Sequence, residues 1–291
     1  MTQRTRDLTT ADDRNLDVLV AGAADGPTIV LHHGTPSDAT CWTDWHSDAE
    51  DRGVRLISVS RPGYATSTRK LGRDVAQAAS DVAAVLDQLG ITEYVTAGWS
   101  GGGPHALACA ALHPGRCLRV ATLAGVAPHE AAGLDFLAGM GPENVDEFGA
   151  AAQGEGALRG WMAANAEPFR TVTGAQIAEA FGGLVPQIDR DVLRGGYADH
   201  MAAGTRRALG GGVDGWVDDD LAFTRPWGFD LAGIDVPVTV WQGDLDLMVP
   251  AAHGAWLRGQ LPGAQARTPK GHGHISLVTE YRQEILDWLL G

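Results

Sequence analysis

The stretch TAGWSGGGPHAL, residues 96–107, constrains this chain more than any other part of it. A strand-like YVTAG (94–98) runs into Ser100 and a helix-like PHALACAALHP (104–114) leaves it, with Gly98, Gly101, Gly102 and Gly103 crowded between. In a tight strand-to-helix reversal the positions two either side of the serine come together, which leaves little room for a Cβ on Gly98 or Gly102. Such a turn strains the serine backbone and lifts its hydroxyl above a sheet, where the free N–H groups of the new helix favour negative charge. A nucleophile on a sharp turn competes here with a structural glycine turn and a phosphate cradle. The cradle is the weakest, because no G-K-[ST] follows and the glycine spacing does not match a dinucleotide fingerprint.

At 291 residues the chain can bury a full core, as one large α/β domain or two smaller units. The formal charge of -14 repels a phosphate backbone over most of the surface, and the Arg206-Arg207 cluster is too small to reverse this, so nucleic acid is excluded as a partner. Three cysteines, Cys41, Cys109 and Cys117, form no CxxC pair and read as reduced, buried thiols. The N-terminal MTQRTRDLTTADDRN has no apolar signal segment, and no apolar run reaches about 18 residues. Cytoplasmic residence and no membrane partner are therefore expected.

Strand-like and helix-like pieces alternate. NLDVLVAG (15–22), TIVLHHG (28–34), RLISVSRPG (55–63), YVTAG, LRVATLAG (118–125), VPVTVWQG (236–243) and a short piece near AQART read as strands. The first two, joined by AADGP, read as a hairpin or as adjacent strands. Apolar residues at helical spacing mark Arg73–Leu89, the segment after Ser100, AHGAWLRGQL and a final helix over HISLVTEYRQEILDWLLG. The pattern predicts an α/β fold, a mostly parallel central sheet with helices on both faces. Residues 128–229 carry amphipathic pieces and no strong strand, too long for a connection, and so predict an inserted, mainly helical cap. The expected divisions are 1–127 and 230–291 for the two parts of the core and 128–229 for the cap.

A serine nucleophile needs a base and an orienting acid. His272 and His274 lie just ahead of the last helix, and Asp244 and Asp246 follow a strand; both segments belong to loops at the carboxyl end of the sheet, beside Ser100. HHGTP (32–36), GWSGGG (98–103), GDLDLMVP (243–250) and GHGHISL (271–277), in that order, resemble the motifs of the α/β-hydrolase fold family, serine-nucleophile branch with a helical cap. The likeness spans nearly the whole chain.

That resemblance implies Ser100 as nucleophile, Asp246 as orienting acid and His274 as base, with Asp244 and His272 the weaker choices at each role. It implies an oxyanion hole from the backbone N–H groups of Thr35 and Gly101, and a loop supported by His32 and His33. No cofactor is required, and the His272/His274 pair has no third ligand cluster to make a metal site. The expected activity is hydrolysis of a carboxylic ester or related small-molecule acyl compound through an acyl-serine. Lactone opening, carbon–carbon bond hydrolysis, perhydrolysis and an aminopeptidase-like reaction remain open, the last needing cap carboxylates such as Glu130, Glu143 or Glu147 to hold an ammonium group. A noncatalytic ligand-binding protein is the alternative of another class. Trp99, Trp161 and Phe169 are the candidate lining of the substrate pocket. Arg61 reads as a surface-stabilising residue, with an approach to the cap as the alternative.

Overall fold

A computed structural model describes residues 4–291. Among them eight strands form one sheet: β1 (Arg4–Thr9), β2 (Asn15–Gly22), β3 (Thr28–His32), β4 (Arg55–Val59), β5 (Tyr94–Trp99), β6 (Cys117–Leu123), β7 (Val238–Trp241) and β8 (Gln265–Arg267). Their spatial order is β1-β2-β4-β3-β5-β6-β7-β8. The pairings β1–β2 and β2–β4 are antiparallel and the rest parallel. The mostly parallel sheet expected from the sequence is thus present.

Alternation along each strand builds two cores. Val30 and Ile57 face one side, with Val82, Val85 and Leu107 of helices α2 (Gln77–Gln88) and α3 (Gly102–Leu112). Ile29, Leu31 and Leu56 face the other, with Trp45 and Ala49 of α1 (Thr43–Asp51) and with Leu277 and Leu286. The latter two belong to α12 (His274–Glu280) and α13 (Arg282–Leu290), two short helices where a single final helix was expected. The chain leaves the α-helical region at Tyr281, with ψ at 9°.

The hairpin reading of the first two strong strands is corrected: β2 and β3 do not pair, and β4 runs between them. The AADGP turn bridges the start of β4, where Ala23 N–H donates to Val54 O (2.8 Å) and Arg55 N–H to Pro27 O (2.9 Å). Strand β1 and helix α1 were not foreseen; β1, RTRDLT, is largely polar because it lies on an exposed edge.

Between β6 and β7 the chain builds the inserted cap: α4 (Pro142–Ala152), α5 (Glu155–Asn165), α6 (Glu167–Thr171), α7 (Gly174–Ala180), α8 (Gln187–Val192), α9 (Gly195–Ala208) and α10 (Asp214–Phe223). After β7, α11 (Ala251–Gln260) returns the chain to the sheet. No helix among the described residues is long and apolar enough to cross a membrane. All three cysteines are free; Cys109 and Cys117 are buried and Cys41 is half-buried.

Candidate active site

Strand β5 delivers the chain to Ser100, whose φ of +57° is the left-handed conformation that a serine adopts only when held there. It is held by Ser100 N–H donating to Leu123 O of the neighbouring strand (2.8 Å) and by Gly103 N–H donating to Ser100 O (2.9 Å). The flanking glycines are required by contact: a Cβ on Gly98 would lie 2.0 Å from Gly102 O, and one on Gly102 would lie 2.0 Å from His32 O. Neither site admits even alanine without moving backbone.

His274 is the first residue of α12, and its Nδ1 lies 2.8 Å from Asp246 Oδ2. Both side chains are buried. Gln242 Nε2 donates to the same oxygen (2.9 Å), while Oδ1 of Asp246 accepts from Met248 N–H (2.9 Å) and Val249 N–H (2.8 Å). Four hydrogen bonds around one carboxylate fix its plane. Asp244 and His272 turn elsewhere. Asp244 accepts from Gly271 N–H, and His272 meets Lys270 O and Glu280 at the surface.

Ser100, Thr35 and Gly101 line a cavity of about 630 Å³, with Trp161 and Phe169 from the cap. A second cavity of about 50 Å³ is lined by Ser100, Thr35, Trp99 and His274. Trp99 also donates its indole N–H to His274 O (3.2 Å), and its ring centroid is 5.4 Å from the imidazole. Thr35, Gly101, Trp161 and Phe169 thus share a cavity with Ser100, Trp99 and His274 share the smaller one with it, and Asp246 pairs with His274. Among the described residues, no group of three or more His, Cys, Asp or Glu side chains is arranged to hold a metal ion.

Arg61 is corrected from surface to core. It is 4% exposed and lies beneath the Thr35 loop, donating to His33 O (2.5 Å), Gly34 O (3.0 Å) and Thr35 Oγ1 (3.0 Å). Its counter-charge is Asp219 of α10 (2.6 Å), which also accepts from Thr35 Oγ1 (2.7 Å) and Tyr64 O–H (2.9 Å) and pairs with Arg73 (2.7 Å). Burial alone would raise the Asp219 pKa; the two guanidinium groups instead hold it well below the usual carboxylate range. His32 and His33 sit in the same region, and burial, with Arg61 nearby, keeps both rings well below the usual histidine range. His33 Nε2 accepts from Arg61 N–H (3.0 Å) while Nδ1–H meets Gly34 O (2.7 Å), the work of a neutral strut.

A second cap carboxylate reaches the site from the other side. Asp189 of α8, wholly buried, accepts from His274 N–H (2.8 Å), Ile275 N–H (3.2 Å), Ser276 N–H (2.9 Å) and Ser276 O–H (2.7 Å). It thereby supplies the N-terminal cap of α12 that Gly273, lacking a side chain, cannot. Sequence reasoning missed both residues. The run DDD at 218–220 inside the apolar GWVDDDLAF carried a signal, since three consecutive helical positions spread over about 200° and cannot all reach solvent on a packed helix. Asp189 offered none. Of the cap acids named from sequence, Glu130 is exposed, whereas Glu143 and Glu147 line the larger cavity.

A family model described as alpha/beta hydrolase fold matches residues 27–157. The chain is 30% identical over 279 residues to a non-heme chloroperoxidase from Streptomyces lividans, covering 94% of each chain. Among solved structures it is similar to a hydrolase from Pseudomonas aeruginosa (TM-score 0.73, 22% identity, 99% of this chain and 98% of that one). It is also similar to the esterase RhEst1 from Rhodococcus sp. ECU1013 (TM-score 0.66, 22% identity, 99% and 98% covered). With a serine elbow between β5 and α3, a helical cap after β6 and a full-length relative, this chain belongs to the α/β-hydrolase fold family.

Proposed function

We propose that the protein is a serine hydrolase that cleaves a carboxylic ester. One observation carries the reading: His274, whose Nδ1 lies 2.8 Å from the buried Asp246, lines the same cavity as a serine held at positive φ. In the first step Ser100 Oγ attacks the acyl carbonyl and its proton passes to Nε2 of His274, while Asp246 fixes the imidazole tautomer and stabilises its charged form. The carbonyl oxygen gains negative charge and is received by the backbone N–H groups of Thr35 and Gly101, a donor of this kind being worth roughly 3 kcal/mol. Collapse expels the alcohol with the proton from His274. Water, deprotonated by the same imidazole, then releases the acid and restores Ser100.

The test pairs the wild type with Ser100→Ala. A fluorophosphonate probe and p-nitrophenyl acetate are expected to label and to turn over only with the former. Equal stoichiometric labelling of both proteins would overturn the assignment.

The likeness to a non-heme chloroperoxidase favours a second acyl acceptor at the same centre. Hydrogen peroxide in place of water would attack the acyl-serine and leave as the peracid, with no change of oxidation state at the protein. Peracetic acid formation from an acetate ester and peroxide, lost in Ser100→Ala, checks it.

A further inference from the structure

The larger cavity has an unbalanced lining. Glu143, Glu147, Glu179 and Asp220 face it, and among the described residues no lysine, arginine or histidine does. Its walls include Trp161, Phe169 and Trp216, packed edge-on with ring centroids of 5.9 and 5.5 Å to Trp216.

The three aspartates of α10 have different fates. Asp218 pairs with Arg69 (2.8 Å) and Asp219 takes both Arg61 and Arg73. Asp220, 1% exposed, has no arginine, and no donor of the protein reaches either of its carboxylate oxygens. Its polar neighbour is the carboxyl of Glu147, itself 8% exposed, whose Oε1 accepts from Trp216 N–H (2.5 Å). Two facing carboxyl groups can coexist there only by keeping a proton between them. Burial pushes Glu147 up to about 7, and burial with the adjacent Glu147 charge pushes Asp220 well above the usual range. Asp219 and Arg73 are the other charged groups acting on the pair, and the guanidinium of Arg73 is paired with Asp219 (2.7 Å), not with Asp220.

Buried acid without a counter-ion, aromatic faces and a cavity open to Ser100 make one kind of site. We propose that Glu147 and Asp220 form the receiving end for an ammonium group, so that the preferred substrates are small esters carrying a protonated amine or a quaternary ammonium. The inference rests on the ester-hydrolase reading above and adds the charge of the substrate. The cation takes the place of the shared proton, stabilised by two carboxylates and by the ring faces around it. Binding therefore releases a proton near neutral pH. The -14 net charge of the chain draws cations to its surface in the same sense.

Acetylcholine and 3,3-dimethylbutyl acetate differ in charge and hardly in shape. The expected kcat/KM ratio between them is tenfold or more in favour of the cation for the wild type, falling to within twofold in Glu147→Gln and in Asp220→Asn. Titration of the Ser100→Ala protein with benzyltrimethylammonium gives a readout that does not depend on the folding of Asp220→Asn. Calorimetry in phosphate and in Tris at pH 7 should differ by the heat of a released proton, and the affinity should weaken about tenfold between pH 8 and pH 5.5. A wild-type ratio at or below one, with no binding of the probe, overturns the ammonium site while hydrolysis of the neutral ester leaves the hydrolase standing. Probe binding with turnover of neither ester supports the ammonium site and removes the hydrolase.

Discussion

At Ser100 the backbone and the side chain make opposite demands. A left-handed φ costs a non-glycine residue on the order of 1 kcal/mol, a cost accepted here to lift the hydroxyl into the cavity. Ser100→Gly is therefore expected to be more stable than Ser100→Ala by up to about 1 kcal/mol in urea unfolding, with both inactive. Asp246→Asn should keep the fold and lose about a thousandfold or more in kcat, because an amide cannot stabilise the charged imidazole. Ester turnover across a pH series checks it. At this scale the sequence was informative. Ser100, Asp246 and His274 carried their neighbourhoods with them as short motifs; Asp246 pairs with His274, whereas Asp244 meets Gly271 and His272 meets Glu280. Arg61 was misread because a charged residue after a strand says nothing of the acid, 158 positions away, that buries it.

Among the elements, β2, β5 and β7 could be read from apolar runs, because strands buried on both faces leave a continuous signal. Strand β1 could not, since an edge strand in water needs no apolar face. Strand order was equally hidden: β4 enters between β2 and β3 through contacts made by loops, not by periodicity. Helix α12 depends on a residue that no local pattern announces. Asp189→Ala removes the acceptor of three backbone N–H groups and one hydroxyl, and is expected to cost about 3 kcal/mol of stability. The expected loss in kcat is about tenfold with KM little changed, because His274 is the first residue of that helix. Asp189→Asn, which keeps an acceptor oxygen, should restore part of it; equal losses in both variants would mean that the charge matters more than the cap.

Across the whole molecule, buried histidines govern the acid limb of stability. Burial lowers His46 and His105 to about 4, and lowers His113 and His253 as well. The unfolded chain binds more protons on these rings between about pH 6.5 and 4, so stability must fall as pH falls through that window. Glu147 acts in the other direction. Raised to about 7, it holds a proton that the unfolded chain releases near 4.5, and its contribution is lost as pH rises toward and past 7. Thermal midpoints are expected to rise with pH through the histidine window, and Glu147→Gln should steepen that rise between about pH 4.5 and 7. The ties between cap and core also decide what can be exchanged. Asp219 pairs with two core arginines and Asp189 caps a core helix, so the insertion is tied into the proposed reaction centre and is not a detachable cover. Transplanting it from a relative without both aspartates would strand two guanidinium groups in the interior and unseat the imidazole. Traffic to the serine must use a route that leaves α8 and α10 standing.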